Sequence, residues 1–191
     1  MEQEKVLSLS FPISLNAVAS SLVFTGLSVL SIVGPFLLGH PQWLVGTAVN
    51  ACLFLAVVFL PSKYYLPLAI FPSLGVLSRG IIFGPLTPFL IYFMPFIWIG
   101  NLVLIIAFKK AFDCVGNNNI IFIAGVLGSS ALKFLFLLSA ANVYFKFNIV
   151  PAVFLQIMGF NQLATALAGG LISFLIFKIY GQYIKRGGRT A

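Results

Sequence analysis

The sequence predicts an all-α integral membrane protein, a bundle of six transmembrane helices with both termini cytoplasmic. Of 191 residues, 61% are hydrophobic and 7% charged, against roughly 25% charged in an ordinary soluble domain. Backbone facing lipid has no water to bond, so the spans must be helical, and at roughly 20 residues per crossing about six of them fit. The basic residues are also placed unevenly. With both termini inside, Lys5, Lys63, Lys109, Lys110, Lys178, Lys185, Arg186 and Arg189 all fall on the cytoplasmic side, and only Lys146 lies clearly in an outer loop. That asymmetry sets orientation.

The first helix is expected over residues 14–38, after Pro12 and with the Gly34-Pro35 pair bending or ending it. Ala17, Ser21, Thr25 and Ser28 put small residues on one face, which lets another helix approach closely, in a partner subunit or in the same bundle. The following link lacks basic residues; its Trp43 suits an interface, and His40, the only histidine, reads as a polar surface residue. The second helix is expected over 44–60, with Asn50 inside it facing neighbouring helices. The third, over 64–83, is interrupted by Pro67 and Pro72 and carries Arg79. The fourth, over 88–110, follows the turn Gly84-Pro85-Leu86-Thr87-Pro88 and holds Tyr92, Pro95, Trp98 and Asn101. The stretch 111–119, AFDCVGNNN, reads as a solvated loop. The fifth helix, over 120–142, contains Lys133 well inside the span. The segment 143–156 is too short and punctuated to span, and reads as a lid or an interfacial helix on the outer face. The sixth, over 157–184, has Asn161 and Gln162 near its start, then a small-residue run through Gly169 and Gly170, and ends in a basic tail. The N-terminus carries acids and a lysine ahead of an apolar run long enough to stay as a helix, so no cleavable signal peptide is expected. One domain spans 1–191.

The stretch from Leu74 to Asn101 organises the functional reading. In this orientation Arg79 and Lys133 share the outer half of the bundle, while Glu2, Glu4 and Asp113, the only acids, lie on the cytoplasmic side. Buried charges are normally paired, and neither cation has a carboxylate partner in its own chain. Their counter-charge must be lipid, water, backbone carbonyls or a ligand. The functional reading is an anion site formed by Arg79 and Lys133, with Tyr92, Trp98, Asn101, Asn142, Asn161 and Gln162 supplying the aromatic wall and orienting hydrogen bonds of a small-molecule pocket. The competing reading is that both cations snorkel to outer headgroups.

Other classes are poorly served. No intramembrane carboxylate, zinc motif or phosphate-binding loop is present, so no enzymatic activity, metal or cofactor is expected and the chain cannot hydrolyse ATP itself. Cys52 and Cys114 lack ligand spacing. The +8 net charge marks loops that meet anionic lipid, with no soluble domain left for nucleic acid.

The whole chain resembles the substrate-binding S components of energy-coupling factor transporters. The likeness lies in its length, six hydrophobic spans, the small-residue face of the first helix, the GPLTP turn and a last helix of the form FNQLATALAGGLISFLIFKIY. The resemblance implies a prokaryotic inner-membrane subunit that binds a vitamin or related micronutrient in its outer half. It also implies partners: a transmembrane coupling subunit, on which the chain docks, and two cytoplasmic ATPases. The family's docking motif on the first helix is AxxxA; here Ala17-Val18-Ala19-Ser20-Ser21 keeps small-xxx-small with Ser21 as the second small residue. The N-terminal histidine motif of the metal-transporting branch is absent. The alternatives are a self-contained channel or facilitator, which should carry a continuous polar stripe through both halves, and a structural subunit whose partner supplies acids to Arg79 and Lys133.

Overall fold

A computed structural model describes residues 15–38, 41–80, 86–115 and 119–187. These form helices α1 (Ala17–Leu38), α2 (Gln42–Phe59), α3 (Tyr65–Arg79), α4 (Thr87–Val115), α5 (Asn119–Lys146), α6 (Val153–Met158) and α7 (Phe160–Gly187), with a single 3-10 turn before α3. There are no strands among the described residues. Five stretches are long and apolar enough to cross a membrane: α1, α2, α4, α5 and the joined α6–α7 run Val153–Tyr183. This is the character of a multi-pass membrane protein. The sixth expected span is the exception. Helix α3 has 15 residues, about 22 Å of rise against a hydrocarbon core of about 30 Å. It stops at Gly80, whose φ of 62° is the left-handed cap that glycine adopts without strain.

Successive long helices run antiparallel. One end of the bundle, here the basic end, carries Lys63, Lys109, Lys110 and Lys178; the opposite end carries the last turns of α1 and α3, the first turns of α2 and α4, and the α5–α7 link with Lys146. Helix α2 is innermost, with every residue from Asn50 to Val58 buried. It lies against α7, and Gly169 is the reason they come so close. A Cβ there would sit 2.6 Å from the Ala51 nitrogen and 2.8 Å from the Thr47 oxygen. The neighbouring Gly170 does the same against Val126 of α5. Helix α1 is peripheral, lying along α3 and α2. At its contact with α3 a Cβ on Gly75 would collide with the Ile32 carbonyl oxygen, so the two backbones touch.

The apolar core divides in two. On the basic side, Phe54, Phe108, Phe112, Phe122 and Phe177 form an aromatic cluster with Leu53, Leu104 and Leu60. Phe54–Phe108 at 4.8 Å and Phe108–Phe122 at 5.0 Å meet edge to face, while Phe122–Phe177 stack at 5.4 Å. On the other side, Leu90, Phe93, Leu137, Phe154 and Met158 form the second cluster.

Three expected boundaries change, each for a packing reason. Helix α4 continues through Val115 instead of yielding to a loop after 110: Phe112 is buried in the aromatic cluster, and Asp113 receives a 2.6 Å bond from Lys109 one turn back. Helix α5 continues to Lys146 because the Tyr144 ring packs on Phe93 and Phe96 at 5.1 and 5.4 Å. The segment expected as a lid or interfacial helix becomes a turn and α6, and α6 is folded into the core: Phe154 is fully buried and stacks on Phe93 at 5.2 Å. His40 and Gly84-Pro85 lie outside the described residues.

Candidate ligand-binding cavity

The two apolar clusters are separated by a polar layer at mid-bundle. Asn50, Asn101 and Lys133 each sit near the midpoint of their helices α2, α4 and α5, and each is 1–2% exposed. The Lys133 Nζ donates to Asn50 Oδ1 at 2.7 Å and to Asn101 Oδ1 at 2.8 Å. An ammonium has three donors and no acceptor, so both amides must turn their oxygens to it. Their NH2 groups then need acceptors of their own. Asn50 Nδ2 donates to the Gly46 carbonyl at 2.9 Å and to Thr165 Oγ1 at 3.2 Å, and Asn101 Nδ2 donates to the Ala69 carbonyl at 2.9 Å. The Thr165 hydroxyl donates back to the Asn161 carbonyl at 2.8 Å. Four helices and an α3 carbonyl thus converge on one cation.

The layer gives the Lys133 amine two acceptors and no counter-charge. Burying an unpaired ammonium costs several kcal/mol even after relaxation; two amide oxygens offset part of that and leave the formal charge in place. This differs from the sequence expectation, in which only lipid, water, backbone or a ligand could face Lys133. The acceptors are side-chain amides of neighbouring helices.

Above this floor, on the side away from the basic end, lies a cavity of about 100 Å³. Its walls are apolar: Val45, Val49, Pro72, Val76, Leu90, Ile97, Ile157 and Met158. At its mouth stand Gln42 and Trp43 at the start of α2, and Asn161 and Gln162 at the start of α7. Ser73 also lines it, and is held from behind by the Trp98 indole, whose Nε1 donates to Ser73 Oγ at 3.1 Å. Among the described residues no acid, histidine or cysteine lines this space. On the basic side of the floor the aromatic cluster follows, and the Ser129 and Ser173 hydroxyls there bond to helix carbonyls.

Of the residues expected to form a site, Lys133, Asn101, Asn161 and Gln162 come together in this cavity, and Trp98 supports it through Ser73. Tyr92 and Asn142 do not. Tyr92 is 54% exposed, and Asn142 is exposed with its Nδ2 on the Leu138 carbonyl of its own helix. The reason is azimuth: each lies about two and a half turns along its helix from Asn101 or Lys133, which puts it on the opposite face. Arg79 is the last residue of α3 at the mouth end, and its side chain lies outside the described residues. Among the described residues, Ala17, Ser21 and Thr25 are exposed on the outer face of α1.

Gln42, Trp43, Asn50, Ser73 and Thr165 are site residues that the sequence reading did not assign. Asn50 was noted only as a packing amide. The signal for Thr165 was its position one turn after Asn161, on the same face of α7. No family model, no curated protein and no solved structure matches this chain, so the functional reading rests on its own geometry.

Proposed function

We propose that this chain is the substrate-binding membrane subunit of an energy-coupling factor importer, taking a vitamin or related micronutrient with an anionic group from outside the cell. One observation carries the proposal: a cavity that opens away from the basic end, has a buried, carboxylate-free lysine as its floor and is sealed behind that floor by aromatic rings. With the basic end in the cytoplasm of a prokaryotic cell, the cavity faces outward. A site open on one side captures and holds. Release inside then requires movement of the whole subunit, driven by a coupling subunit and two cytoplasmic ATPases. The exposed small-residue face of α1 supplies a surface for docking on that subunit. The channel reading loses support from the same observation, because a pore needs polar groups through both halves.

The test is native mass spectrometry of the detergent-purified protein. The expected result is a bound small molecule in the wild type that is absent from Lys133→Ala. A protein that is empty, and that gains no thermal stability from a panel of vitamins, would overturn the reading in favour of a structural subunit.

A further inference from the structure

The cavity has a polarity that runs along its length, and this specifies more of its ligand than a negative charge. Its floor is fully buried and carries the Lys133 amine. Its mouth is half-buried and amide-rich, with Gln42, Asn161 and Gln162, and the wall between is apolar. From Gln42 to Asn50 the α2 axis rises about 12 Å, which sets the distance between the two polar zones. Lys133 spends two hydrogen bonds on Asn50 and Asn101; an ammonium has three donors. One remains to meet one acceptor at the floor. No second cation stands there among the described residues to balance a doubly charged group, and no acid stands anywhere along the described lining to receive an ammonium. The mouth amides offer both donors and acceptors, and suit an uncharged polar group.

Resting on the binding-subunit reading above, we propose that the cavity takes an elongated monocarboxylate whose carboxylate meets Lys133, whose body is apolar, and whose far end carries a neutral hydrogen-bonding group such as an amide, ureido or hydroxyl. A zwitterionic amino acid would find no carboxylate along the described lining, and a phosphate ester no second cation there.

The experiment uses a defined mixture of four compound classes matched in length: monocarboxylates with a neutral polar far end, their methyl esters, the corresponding ω-amino acids, and phosphomonoesters. Purified protein is equilibrated with the mixture, separated from free compounds and analysed for what it retains. The expected result is retention from the first class only, falling at least tenfold in Lys133→Met. Because that variant can fail to fold, Gln162→Leu at the mouth provides a second readout. It should weaken retention of the polar-ended monocarboxylates and leave that of methyl-ended monocarboxylates of the same length, assayed separately from the mixture, unchanged. Retention of esters, amino acids or phosphates, or retention indifferent to both substitutions, overturns the proposed class while leaving a binding protein. No retention from any class, together with an empty native mass spectrum, overturns the binding reading as well.

Discussion

The Lys133 ammonium donates to Asn50 Oδ1 at 2.7 Å, joining α5 to α2 at the centre of the bundle across 83 residues of sequence. The same asparagine passes the connection to α7 through Thr165. Lys133 and Asn50 are therefore one unit, and neither is at ease without the other.

Asn50→Leu should destabilise the protein by about 2 kcal/mol, since it removes a charge-assisted bond and leaves Lys133 short of a buried acceptor. Lys133→Met should also cost stability, by stranding two amide oxygens. The double variant should be more stable than the sum of the two predicts, by about 1 kcal/mol or more. Thermal unfolding in detergent checks this; strictly additive losses would mean the pair is not coupled.

Gly169→Ala should lower the unfolding temperature markedly, because even one methyl would meet the Ala51 nitrogen at 2.6 Å and Asn50 Cβ at 2.9 Å. Overpacking of this kind costs about 1–3 kcal/mol. Gly128→Ala on α5, with nothing within 4 Å of the added carbon, is the matched control and should be neutral or slightly stabilising. Equal effects would show that α2 and α7 are not in contact at that point.

Tyr92→Phe and Asn142→Ala should change retention of any bound small molecule less than about twofold, as expected for exposed positions away from a site. A large loss in either would put the site on the outer face of the bundle instead.

Orientation is testable by labelling. In a Cys114→Ala background, where Cys52 is buried, Lys146→Cys should react with an impermeant maleimide on intact cells, and Lys63→Cys only after the membrane is opened. The reverse pattern would turn the cavity toward the cytoplasm.

The sequence announced Lys133 and Asn101 because a charge and an amide stand out in apolar runs. It could not say which way they face. When a helix is apolar on nearly every side, as α5 is, hydropathy carries no azimuth. Asn142 and Tyr92 were therefore grouped with residues half a revolution away, and only the convergence of α2, α4, α5 and α7 separates them. Helix ends failed for a related reason. Asp113 and the asparagines after it look like a loop, yet the burial of Phe112 carries α4 past Lys110. The small-residue run of the last helix carried no assigned role in the sequence, yet its Gly169 and Gly170 are where α7 meets α2 and α5.

The backbone contact between Gly75 and Ile32 makes α1 and α3 a single plank. One edge of that plank carries Ala17, Ser21 and Thr25, open to the surroundings, and the other contributes Pro72, Ser73 and Val76 to the cavity. Close-packed helices transmit strain instead of absorbing it. In the proposed importer, a coupling subunit docked on α1 would stand one helix away from the cavity wall.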